Sequence, residues 1–228
     1  MTPITAIDLT GFTEREPGVW TDAHGLLLSL HFFGLVPDLP ASLDAPDLLR
    51  PGLARSAARA GGALIEAEVA TVDTLPAVRQ LIKVPLGGRP GQAFLASWTI
   101  PRDRCSTVVK VQAAEGATTG LREALVAHEV GPDRYFTPHP YGADITGGLP
   151  SHVADQERWD ARFPDHPLTR VREVLRRITP SLALHEGFKT LPAFTPPGTA
   201  FAPAPAPAPG PAPATEGARR GWFGRRRG

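Results

Sequence analysis

Five of the seven histidines in this 228-residue chain, His128, His139, His152, His166 and His185, fall in its second half, interspersed with Asp144, Asp155, Asp160 and Asp165. Imidazole and carboxylate groups are the donors of divalent-metal sites and the acids and bases of hydrolytic chemistry. Their spacing matches no linear motif: HExxH and C-x-x-C are missing, and no two histidines stand three or four residues apart as helix neighbours would. A hydrolase or metal-dependent enzyme built on residues 128–185 would therefore need these side chains to converge in space. The alternative is that they cap helices and sit on the surface. Signals for a nucleophile are missing as well. No G-x-S-x-G elbow occurs, the sole cysteine, Cys105, opens a strand-like run and reads as a small core residue, and Gly87-Gly88-Arg89-Pro90-Gly91 lacks the Lys-Ser/Thr of a phosphate loop. The sequence itself names no catalytic residue, no metal ligand and no cofactor.

Recognition chemistry has stronger candidates. The run from Trp159 to Pro167 crowds Trp159, Phe163, Asp165 and His166 into nine residues. In one reading Trp159 and Phe163 are anchors for a protein partner, with Asp165 or His166 supplying polar contacts. In the other, the two aromatics staple a helix end to the core and Asp165 caps the helix that Pro167 begins. That helix carries Arg170, Arg172, Arg176 and Arg177 against Glu173 alone. Its exposed side is expected to be basic, either meeting a partner's acids through residues such as Arg170 and Arg177 or simply solvated with a Glu173–Arg177 pair. At the C-terminus, Arg219, Arg220, Trp222, Phe223, Arg225, Arg226 and Arg227 read either as a merely solvated end or as a contact for an acidic protein partner or an anionic membrane surface. There each arginine contributes about 1 kcal/mol and the aromatics dip into the interface.

Charge confines that role to the tail. Of 24 basic and 23 acidic residues in the whole chain, five arginines and Glu216 lie beyond residue 195, leaving 19 basic against 22 acidic before it. A mildly acidic body is not built to neutralise phosphates, which argues against nucleic acid as the partner. One cysteine excludes an intramolecular disulfide and suits a reducing, cytoplasmic compartment, peripheral to the inner membrane face if the tail binds there. The first residues lack a basic-then-apolar leader, and Ser29, His31 and Gly34 break the longest apolar run, so neither a secretion signal nor a membrane span is expected. The richness in Ala, Arg and Pro suggests a high-GC bacterial genome.

The elements that must position these residues follow from periodicity. Val19–Thr21 and Leu26–Phe33 read as a hairpin across Asp22-Ala23-His24-Gly25. Residues 47–60 read as a helix with Leu48, Leu49 and Leu53 on one side, Pro51 in its first turn and Gly61-Gly62 as the stop. Ala63–Val72, Ala77–Val84, Ala93–Ile100 and Cys105–Ala113 are strand-like, and Thr119–His128 is a helix that lines up Leu121, Leu125 and His128. Short loops between neighbouring strands require an antiparallel meander. The fold class is therefore α+β: an antiparallel sheet of about six strands in β-β-α-β-β-β-β-α order over residues 1–130, with helices packed on it. A loop-rich helical extension docks on it at 131–195. A disordered Pro/Ala linker at 196–215 and the basic aromatic tail at 216–228 follow.

This succession, with Gly61-Gly62 before the third strand and the Gly-rich hairpin at 86–91, resembles the Mog1/PsbP-like fold over about residues 10–130. The resemblance implies a small binding or assembly factor without a catalytic site. The functional expectation is thus a non-enzymatic protein-interaction or assembly module with a tethered basic tail. Its alternatives are the hydrolase or metal enzyme above and a structural subunit of an envelope or secretion assembly, which an exposed apolar patch on the sheet would favour.

Overall fold

The computed structural model describes residues 2–116 and 118–196, so the tail and the linker beyond Pro196 lie outside the described residues. After a short strand β1 (Ile4–Ala6), strands β2 (Phe12–Glu16), β3 (Val19–Asp22) and β4 (Leu27–Phe33) form one meander. Helix α1 (Pro46–Arg59) leads to a second, β5 (Ala63–Val72), β6 (Leu75–Pro85), β7 (Gln92–Arg102) and β8 (Cys105–Ala114). The two join through an antiparallel β4–β8 pair, giving one seven-stranded sheet in the order β2-β3-β4-β8-β7-β6-β5. The strand beyond the expected six is β2, whose sequence FTERE is polar and exposed after Phe12. An edge strand of that kind carries no apolar alternation to read.

Residues beyond the sheet form α2 (Leu121–Val130), α3 (Pro132–Tyr135), 3-10 turns at Val153–Asp155 and Glu157–Arg162, α4 (Pro167–Ile178), a further 3-10 turn at Thr179–Ser181, β9 (Ala183–Leu184) and α5 (Glu186–Lys189). The i, i+3, i+7 spacing of Leu168, Val171 and Leu175, continued by Ile178, puts all four on the face of α4 that packs on the sheet. There they are buried with Leu28, Phe94, Trp98 and Val109 in the largest core cluster. Trp98 Nε1 adds a 2.8 Å hydrogen bond to Thr179 Oγ1 just beyond the helix. On the opposite face α1 buries Leu49, Leu53, Ala54 and Ala57 against Leu64, Ala67 and Val78. The segment 131–195 thus supplies the main core helix, and its β9 pairs with β1. Among the described residues no helix is long and apolar enough to cross a membrane.

Three local expectations are corrected. Pro51 lies inside α1, because Pro46 already occupies the helix start, and Leu48 is 70% exposed while Leu49 and Leu53 face the core. In α2 the buried positions are Arg122 and Val126, while Leu121 and Leu125 are about half exposed at 49% and 46%. The apolar period misled there because the side chain α2 buries most completely is a charged one. The cap of α4 is His166, whose side chain accepts from Leu168 N–H at 3.2 Å, and Asp165 is exposed.

Candidate functional site

The run at 159–167 sits against the 3-10 turns and α2. Trp159 is 7% exposed and packs with Val126, Tyr135, Val153 and Ala154, and Phe163 is half-buried against the same cluster. The Arg158 and Arg162 guanidinium groups each lie 5.3 Å from the Trp159 ring. These aromatics hold the turn to α2 and leave Asp165 as the exposed member of the set.

The α4 arginines are not a free basic face. Arg170 pairs with Asp22, Arg176 with Glu157, and Arg177 with Asp8 at 2.6 Å rather than with Glu173. Arg172 is buried and pairs with Glu66 at 2.6 Å and Asp160 at 2.9 Å, each acid coming from a different element. Sequence periodicity along α4 counts charges on the helix alone. The neutralising carboxylates arrive from β3, β5, the Glu157–Arg162 turn and the N-terminal segment.

Between the sheet and the 152–166 segment runs a seam of buried ionic groups. Lys83 is 0% exposed, in phase with inward Leu81 and Ala77 on β6. Its ammonium donates to Asp155 Oδ2 at 2.7 Å, Asp155 Oδ1 at 3.0 Å and His152 Nε2 at 3.0 Å. An ammonium has three N–H groups, and all three are taken. Burial lowers the Lys83 pKa while Asp155 opposes that shift. His152, stacked on Tyr135 at 5.0 Å, is pushed down to about 4, first by burial and then by Lys83 and Arg122, with Asp155 opposing. With Nε2 accepting from Lys83, the neutral ring carries its proton on Nδ1. His152 and Asp155 border a cleft of about 420 Å³ whose other walls include Leu64, Ile65, Pro138 and Pro140. Beside them Arg122, fully buried, bonds Ala154 O at 2.9 Å, Gln156 O at 3.1 Å, Thr169 Oγ1 at 2.9 Å and Asp160 Oδ1 at 2.8 Å. A lysine so enclosed holds a charge in place. Attack on a substrate would need a neutral, accessible amine.

A second set lies where β8 ends. His166 Nε2 stands 3.8 Å from Glu115 Oε1 and 3.9 Å from Glu123 Oε1. Among the described residues this is the group of three His, Cys, Asp or Glu donors whose ligand atoms fall within 4.8 Å of one another. Glu115 accepts from Gln92 N at 2.7 Å and Gly120 N at 2.8 Å, and its pKa is lowered, hydrogen bonding outweighing burial. Burial raises Glu123.

The remaining candidates stand apart. His128 is exposed on α2, and His185 is exposed as the cap of α5, accepting from Gly187 N at 3.0 Å. His139 accepts from Tyr141 N at 3.2 Å, and Asp144 pairs with exposed Arg55 at 2.8 Å. Arg219, Arg220, Trp222, Phe223, Arg225, Arg226 and Arg227 lie outside the described residues. No triad of two histidines and a carboxylate forms within ligand distance among the described residues; instead each of two histidines joins different acids. Sequence reasoning missed Lys83, Glu115, Arg122 and Glu123. Lys83 had a usable signal, a charge in phase with the apolar positions of a strand.

The third candidate is the part of the α1 face of the sheet that α1 does not reach. The register aligns Leu27, Gln112 and Leu95 in one row, Ser29, Lys110, Ser97 and Gln80 in the next, and His31, Val108 and Thr99 in a third; the first and third rows run on to Ile82 and Val78 in the α1 cluster. Ser29 Oγ and His31 Nε2 share a 2.9 Å hydrogen bond, and burial and nearby Lys110 both lower the His31 pKa. Lys110 has no acidic partner among the described residues. At the α1 edge the surface dips into a groove of about 490 Å³ walled by Phe33, Leu35, Val36, Leu53 and Val108. Phe33 is 47% exposed, Val36 51% and Leu35 72%. Ser56 on its wall accepts from the Arg59 guanidinium at 2.9 Å. A scan against protein-family models and a search of curated proteins both return no match.

Proposed function

We propose that the protein is a non-enzymatic binding module whose open sheet face takes a partner-protein segment in which carboxylates alternate with aliphatic or aromatic side chains. One observation carries this: among the described residues Lys110 has no acidic partner, its row neighbours on β4, β7 and β6 are Ser29, Ser97 and Gln80, and the first carboxylate along that row is Glu16 on β2, beyond Val19. A half-buried cation that lacks an internal counter-ion attracts an external one, and electrostatic complementarity of this kind sets which partner binds. The adjoining groove at Phe33, Leu35 and Val36 offers apolar anchorage on the same surface. The chain's own tail, with five arginines, has the wrong sign for this face. The buried Lys83 and Arg122, saturated by internal partners, support a binding role over a hydrolytic one. The likeness in element order to a fold group of binding and assembly factors points the same way. In this reading the basic aromatic tail tethers the module to an anionic surface, which rests on its composition.

The test is a selection of random displayed peptides on the full chain, with Lys110→Glu as the counter-selecting surface. Expected are peptides that mix Asp or Glu with Leu, Ile or Phe and lose binding to Lys110→Glu. Peptides rich in Lys or Arg, or indifferent to the substitution, would overturn the assignment.

A further inference from the structure

Three elements bring one donor each to a point beside a cleft of about 240 Å³ that Glu115 and His166 line: Glu115 directly follows β8, α2 carries Glu123, and His166 caps α4. We propose that Glu115, Glu123 and His166 bind one divalent first-row transition cation, of the Zn²⁺ or Mn²⁺ class, which clips α2 and α4 to the end of the sheet.

The spacing is the first reason. Ligand atoms held 2.0–2.2 Å from a shared ion lie roughly 3 to 4 Å from one another, and His166 Nε2 stands 3.8 and 3.9 Å from the two glutamate oxygens. Those separations are too long for hydrogen bonds. The second reason is independent of the cluster's composition. The His166 side chain is 9% exposed, and its Nε2 has no hydrogen-bond partner, nor has the buried Glu123 Oε2. Buried polar atoms without partners call for a bridging group. The imidazole is fixed for the task by the Phe94 ring, edge-on at 5.3 Å. An N,O,O donor set selects borderline transition cations over Mg²⁺ or Ca²⁺, which take oxygen.

Charge is compatible. Glu115 turns both carboxylate oxygens to backbone donors, Gln92 N and Gly120 N, and with Glu123 offers a cation two carboxylates beside the imidazole. The neighbouring cations Arg122 and Lys83 are compensated by Asp160 and Asp155. One interaction opposes binding. Leu168 N–H reaches His166 Nδ1 at 3.2 Å, which keeps the imidazole proton on Nε2. Coordination through Nε2 moves that proton to Nδ1 and gives up the cap bond.

That conflict supplies a discriminating variant, because asparagine caps helices well but cannot place a ligand atom where Nε2 lies. The experiment titrates ZnCl₂ and MnCl₂ into the chelator-stripped full chain by calorimetry, with metal analysis after gel filtration and thermal melts. Wild type, His166→Asn and the near-isosteric Glu123→Gln are compared. Expected is one equivalent bound by wild type with a raised Tm, and affinity reduced more than about tenfold in both variants. Circular dichroism establishes that each variant is folded, and either alone suffices. Absence of saturable uptake, as an ordered water in the cluster would give, overturns the proposal. So does equal uptake in wild type and variants, which would place the ion on surface histidines.

Discussion

Lowering the pH from 7 to 4 is expected to destabilise the protein through His152 before most carboxylates titrate. Burial holds the folded imidazole at about 4 against an ordinary 6.5. In the unfolded chain the ring takes up its proton as pH falls through 6.5, whereas in the folded protein it stays neutral until about 4. The unfolded state therefore binds more protons throughout that window, and stability present above 6.5 is lost as pH falls towards 4. At 1.36 kcal/mol per pH unit the interval corresponds to about 3 kcal/mol. The groups facing the ring are Lys83, Asp155, Arg122 and Tyr135. Glu123, raised by burial, works in the opposite sense over part of the same range. The informative quantity is therefore the difference between wild type and His152→Gln, whose side-chain oxygen can still accept from Lys83. Urea melts at intervals between pH 7 and pH 4 should give a steeper decline for wild type, with the two curves converging towards pH 4. Parallel curves would refute the inference that a neutral buried His152 is part of the Lys83–Asp155 pair.

Asp155→Ala should cost about 3–5 kcal/mol, because it leaves the Lys83 ammonium buried with a single acceptor. The double variant Lys83→Met/Asp155→Leu should recover most of that loss, and denaturant midpoints for the cycle decide the matter. Thr74→Gly should stabilise by up to about 1 kcal/mol, since the β5–β6 turn holds Asp73 and Thr74 at φ 43° and 73°, where a β-branched residue is strained. Co-sedimentation with anionic vesicles should require the residues beyond 195 and fade with salt, and binding by a chain ended at Thr195 would remove the tail from that role.

The strands were legible from runs rich in strand formers, of which β7 and β8 alternate in phase with one buried face, and α4 was legible because its four apolar residues repeat at helical spacing. What failed to show was polar and non-local. β2 is an exposed edge with no apolar period, and α2 turns Arg122 inward, so counting leucines chose the wrong face. The sites were hidden for a related reason. Histidines were sought as neighbours of one another, yet His152 meets Lys83 across 69 residues and His166 meets Glu115 across the gap between β8 and α4. No spacing rule reaches that far. The phase of Lys83 on β6, and that of Arg172 between Leu168 and Leu175 on α4, were local signs that the interior is ionic.

That ionic interior decides how far residues 131–195 can be considered apart from the sheet. Burying Leu168, Val171, Leu175 and Ile178 contributes on the order of 6–12 kcal/mol, comparable to the whole stability of an ordinary domain. Removing the segment would also strip Asp155 from Lys83 and Asp160 from Arg122. A sheet ended at residue 130 would then carry an uncovered apolar face beside two uncompensated cations that were fully buried. The α4 face of the sheet thus reaches neutrality and closure only with its C-terminal segment in place. On the opposite face Lys110, beside an apolar groove, has no such partner among the described residues, so there the two faces differ in whether their charges are answered from within. That difference is why we propose the open face, and not the α4 face, for recognition.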